Sequence, residues 1–138
     1  IRICLVGSEM CIRDRVGRFQ LEAAIQAVHC NRLHTGVTDW RALLFLYEGL
    51  VRIAPTLGAA VGRAVAVGRA VSVQEGLRCL DALPDTDTFQ PHWAARAWLL
   101  VQAGEHAAIG AYDRALSLTS APLVRAYLER CRSVLPQA

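Results

Sequence analysis

Three short stretches recur along this chain at a nearly constant interval. Ile25-Gln26-Ala27-Val28, Gly62-Arg63-Ala64-Val65 and Ala95-Arg96-Ala97-Trp98 place their central alanines 37 and then 33 positions apart. A second series runs between them: Tyr47 and Leu50, then Leu77 and Leu80, then Tyr112 and Ala115, with steps of 30 and 35. Two series within one period leave room for two helices and a turn. Such a hairpin buries its apolar face only against the next one, so the interval predicts a stack of helical hairpins.

The segments between breakers have helical periodicity. Phe19, Leu21, Ala24, Ile25 and Val28 lie close to one helical face, and the stretch from Arg32 to Val37 interrupts it. Thr38 or Asp39 can cap a second helix in which Trp40, Leu43, Leu44, Tyr47, Leu50 and Val51 form an apolar stripe. Ala54-Pro55 ends that helix, because a residue before proline avoids helical angles. A third helix is predicted from about Leu57 to Arg69, and Ser72-Val-Gln-Glu75 is a capping box that opens a fourth. Leu83-Pro84 stops the fourth, Pro91 to Ala103-Gly104 gives a fifth, and Glu105 to Leu118 a sixth. Ser120-Ala-Pro122 starts a seventh, with proline in the first turn, where it is tolerated. The expectation is an all-α fold of about seven helices.

Composition narrows the function classes. The chain has 138 residues, 54% of them hydrophobic, and a net charge of +3. All fifteen basic residues are arginine and they are scattered, with only a weak grouping near Arg125, Arg130 and Arg132. Nucleic-acid binding asks for a clustered basic face, so a solvated helix face is the better reading. No apolar run reaches the ~18 residues that span a bilayer. Of the five cysteines, none forms the C-x-x-C spacing of zinc or redox sites. Cys30, Cys79 and Cys131 are expected as reduced thiols in a cytoplasm.

The last repeat carries a recognisable pattern. Trp93, Ala97, Leu100 and Gly104, followed by Ala108, Tyr112, Ala115 and Leu116, resemble a tetratricopeptide repeat with one residue missing from the inner turn. Small residues let paired helices touch, while Tyr and Leu fill the gap between repeats. Arg96 departs from the pattern, which has an apolar residue there. The resemblance implies a short right-handed tetratricopeptide-like solenoid over residues 16–138.

A narrower resemblance covers roughly residues 17–135. Gln20-Leu21-x-Ala23-Ala24-Ile25, Thr38-Asp39-Trp40, Tyr47, Pro55, Arg63-Ala64-Val65-Ala66-Val67 and Ala94-Ala95-Arg96-Ala97 are its marks. They resemble the C-terminal extension of bacterial extracytoplasmic-function RNA polymerase sigma factors, in which a tetratricopeptide-like region follows the two sigma domains. The resemblance implies a cytoplasmic accessory region that takes part in transcription initiation through a protein partner: its own sigma domains, the polymerase or a regulator. DNA would be reached only through the parent's N-terminal domains, which this chain lacks. The alternative is a free-standing tetratricopeptide scaffold that binds a peptide.

Candidate site residues follow from the repeat register. Arg63 and Arg96 occupy equivalent places 33 residues apart, and Gln26 holds the matching place in the first unit. In a solenoid these positions line the concave face, where two guanidiniums can grip a partner's carboxylate. An ion pair with a carboxylate on a neighbouring helix is the competing reading. His29, His34, His92 and His106 have neither metal-ligand spacing nor a nucleophile within reach in sequence. Trp40, Trp93 and Trp98 are expected as packing residues, not a base-stacking platform. Gly58, Gly62 and Gly68 lie within a helix and favour close packing, and no phosphate loop is present. No catalytic residue, cofactor, metal or small-molecule substrate is expected, and the chain is read as a non-enzyme.

The opening residues 1–15 stand apart. They have no h-region, no sustained alternation, and no companion ligands for Cys4 and Cys11. LVGSEMCIRDR resembles a translated sequencing linker that recurs at the ends of unrelated metagenomic reading frames. The expectation is an artefactual or disordered tail joined to the protein at about Val16.

Overall fold

The structure is a computed structural model that describes residues 9–137, with side chains from Gly17 onward. The described residues form seven α-helices and no strand. These are α1 (Glu9–Thr35), α2 (Trp40–Ile53), α3 (Leu57–Ala70), α4 (Val73–Asp81), α5 (Gln90–Gln102), α6 (Ala107–Ser117) and α7 (Pro122–Ser133). The described residues are all-α, as their periodicity predicts.

Residues 1–8 of the opening stretch lie outside the described residues. The backbone of residues 9–15 belongs to α1. Nothing between Glu9 and Val16 is proline or glycine, so no residue there interrupts a helix running into Gly17. At its other end α1 runs past the expected break at Arg32. It stops at Gly36, whose φ of 75° only glycine adopts without cost and whose N–H reaches the Arg32 carbonyl at 2.7 Å.

The helix starts show which polar residues act as caps. Asp39 accepts from the Ala42 N–H at 3.0 Å to open α2, a contact worth about 1 kcal/mol. Ser72 accepts from the Glu75 N–H at 3.2 Å to open α4. The reciprocal half of the expected capping box is absent. The Glu75 carboxylate takes the Arg78 guanidinium one turn on, and the Ser72 N–H goes to the Val67 carbonyl. Thr56, just after Pro55, opens α3 by accepting from the Ala59 N–H at 3.2 Å.

The chain divides into two compact units, Ile1–Ala66 and Val67–Ala138. In the first, α1 and α2 pack together around Ile25, Leu43 and Leu50, with Ala59 and Ala66 of α3 completing the cluster. Trp40, Leu44, Tyr47 and Val51 press on it from the α2 stripe. Gly62 approaches Tyr47 so closely that a Cβ there would come within 2.4 Å of the ring.

In the second unit α5 and α6 are the most extensively paired helices, with α4 against α5 and α7 against α6. Ala97, Ala108, Ala111 and Ala115 are buried between them, with Leu100, Tyr112 and Leu128 filling the remaining space. Alanines at these places let the helix axes come close, and the larger side chains then occupy the grooves. The end of α3 makes a similar close approach: a Cβ on Gly68 would lie 2.4 Å from the Leu99 side chain, which is completely buried. Gly58, by contrast, has nothing within 4 Å and makes no close approach.

Candidate functional site

Gln26 and Arg63 belong to the first unit and Arg96 to the second. Gln26 is exposed on α1 and Arg63 is half-buried on α3. Arg96 lies on α5 and forms an ion pair with Asp81, the last residue of α4. Its side chain is 28% exposed against 59% for Asp81, so the guanidinium lies along the helix pair while the carboxylate faces water. A pair of this exposure contributes about 0–1 kcal/mol. Its geometric role is to join the α4 C-terminus to the middle of α5.

One turn before Arg96, on the same face of α5, is His92. It is 4% exposed, and its Nδ1 has no hydrogen-bond partner. Its ring meets Trp93 edge-on with centroids 5.2 Å apart. Burial, and then the Arg96 guanidinium, hold His92 below its ordinary value of 6.5, while Asp81 and Asp87 pull the other way. The imidazole is therefore neutral at neutral pH. Sequence reading passed over this residue because a lone histidine in a helix has no spacing to mark it.

The loop between α4 and α5 is held by its backbone. Asp85 takes φ 57°, a left-handed conformation that aspartate tolerates. The Asp87 carbonyl then accepts twice: from the Trp93 indole N–H at 3.2 Å and from Arg114 of α6 at 2.7 Å. The same Arg114 guanidinium lies 5.9 Å from the Trp93 ring centroid. Trp93 thus packs against the α5–α6 core on one side and a cation on the other. Arg69, at the end of α3, repeats this arrangement with Trp98 at 5.3 Å and donates to Gln102 at 2.9 Å. Trp93 packs on the core of the second unit and Trp40 on that of the first, while Trp98 is half-buried beside Arg69.

Between α6 and α7, Tyr112 is buried and its phenol is pushed up to about 12, by burial first and then by Cys131. Cys131 also raises the phenol of Tyr127, one turn before it on α7. Cys79 and Cys131 are half-buried, Cys30 is exposed, and none of the three forms a disulfide. A cavity of about 190 Å³ opens between the α5–α6 turn and the end of α7. Val101, Ile109, Leu135 and Pro136 give it an apolar lining, with Glu105 and His106 as its polar members. Among the described residues no three His, Cys, Asp or Glu side chains group as metal ligands, and no helix is long and apolar enough to cross a membrane.

No protein-family profile matches the chain, and no solved structure matches it. It is similar to an uncharacterised protein of Rhizobium meliloti (strain 1021), 32% identical over 117 residues. The match takes in 83% of this chain but 27% of that protein, so the chain spans about a quarter of its relative's length.

Proposed function

We propose that this chain is a non-catalytic, cytoplasmic protein-interaction region built on a tetratricopeptide-like solenoid, of the kind that follows the sigma domains in extracytoplasmic-function sigma factors. The observation that carries the repeat reading is the burial of the α5–α6 hairpin's signature residues. Ala97, Ala108 and Ala115 are 0%, 1% and 0% exposed, and Tyr112 is 4% exposed. Those are the small and aromatic positions by which this hairpin resembles the repeat. The sigma-factor part rests on the marks from Gln20 to Ala97, and a relative much longer than this chain is consistent with an accessory region. Its partner would be the parent's own sigma domains, the polymerase or a regulator.

The gene itself provides the test. Genomic DNA read upstream through the codon for Val16 is expected to encode two sigma domains in frame. A different upstream frame removes the sigma assignment and leaves a free-standing scaffold. In the full-length parent, Arg63→Ala together with Arg96→Ala is expected to keep the helical content and to weaken association with the sigma domains supplied in trans. Unchanged binding by a folded double variant removes the guanidiniums from the interface.

A further inference from the structure

α7 has two apolar sides. Leu128, with the half-buried Cys131 and Leu135, faces the core of the second unit. About a quarter-turn around the helix from these, Leu123 is 87% exposed, Tyr127 57% and Val134 77%. With Arg130 these residues fall at i, i+4, i+7 and i+11, which is one line along a helix. Exposed Ala126 and Ser133 flank the line with small side chains, so another helix can approach.

Charge separates this line from the rest of α7. Arg125 is held by the Leu116 and Thr119 carbonyls and by Glu129, and Arg132 by Asp113. Arg130 has no salt-bridge partner among the described residues, and its guanidinium lies near the Tyr127 phenol.

The line also reads the same from both ends. Four positions separate Leu123 from Tyr127, and four separate Arg130 from Val134. A two-fold axis between Tyr127 and Arg130 therefore sets aliphatic on aliphatic and cation on aromatic face, twice over. An isologous interface requires this reciprocity, in which residue i meets j and j meets i. We propose that α7 is the interface of an antiparallel homodimer. Leu123 of each copy packs on Val134 of the other, and each Arg130 guanidinium lies over the Tyr127 ring of the other copy. Arg125 and Arg132 lie on the side of α7 turned away from this line, so no cations oppose one another across the axis. One short helix from each copy buries less than the ~800 Å² per partner of a standard interface, so the dimer is weak, with a Kd of about 10⁻⁵ to 10⁻³ M.

Sedimentation equilibrium on the full chain, from about 10 μM to about 1 mM, tests this. A reversible monomer–dimer equilibrium is expected. Leu123→Glu and Arg130→Glu should each weaken it by roughly tenfold or more with an unchanged far-UV spectrum, since both side chains are exposed. Register is read by cross-linking in a background with Cys4, Cys11 and Cys30 replaced by Ser. Under mild oxidation the double variant Leu123→Cys with Val134→Cys should give a covalent dimer, and each single variant should not. A chain that stays monomeric throughout, whether its stripe is bare or receives a helix of another protein, overturns the proposal. So does a dimer indifferent to Leu123→Glu, or one in which a single cysteine cross-links as well as the pair.

Discussion

His92 is the residue at which burial and polarity conflict most sharply. Its imidazole is neutral in the folded chain because burial and Arg96 disfavour the cation. In the unfolded chain it binds a proton near its ordinary 6.5. A folded pKa below the unfolded one gives stability that is fully present above 6.5 and lost as pH falls through the folded value. Urea unfolding midpoints should therefore drop on acidification from pH 6.5, and His92→Leu should flatten that part of the profile. At pH 7 the same variant should be neutral or slightly stabilising, because it removes a buried nitrogen that has no partner. An acid profile identical in the two proteins would show that His92 is not the titrating group. The cap residue Asp39 was legible in the sequence, because caps act within one turn. His92 was not, because its environment comes from α4 and the loop before α5. The Arg96–Asp81 pair lies fifteen positions apart, and only the packing of α4 on α5 selects that carboxylate among the twelve acidic residues.

At the scale of elements, helix lengths and breakers were readable and helix contacts were less so. Pro55, Pro91 and Pro122 mark boundaries by removing an N–H or restricting the preceding residue, which is local chemistry. The capping box was half readable: Ser72 caps, but Arg78, one turn on, takes the Glu75 carboxylate. Glycines show the same division. Gly62→Ala and Gly68→Ala should each destabilise by about 1–3 kcal/mol, because Tyr47 and the fully buried Leu99 stand where the new methyl would go. Gly110→Ala, in α6 with nothing within 4 Å, should stabilise by about 0.5–1 kcal/mol. Chemical denaturation of the three variants checks both signs. A stabilised Gly68→Ala would mean that α3 and α5 do not approach as closely as described.

For the whole molecule, the described core contribution of α1 begins at Leu21 and Ile25. Removing residues 1–15 should therefore leave the melting temperature within about 2 °C, measured by circular dichroism. A larger fall would show that this segment packs on the rest of the chain. The all-α class and the seven helices of the described residues were legible because periodicity returns after each breaker. The division at Ala66 and Val67 was not, because it falls inside α3, where the sequence pattern continues without interruption.

The α4–α5 loop is tied down through the main-chain oxygen of Asp87, not through its carboxylate. For this tie any residue at that position would serve, since every amino acid brings the same carbonyl. What descent cannot change cheaply is the count: one codon gained or lost between Pro84 and Gln90 would carry the oxygen away from Trp93 and Arg114. Among related genes this joint would be recorded as a fixed spacing, and a comparison that scores only residue identity would pass over it.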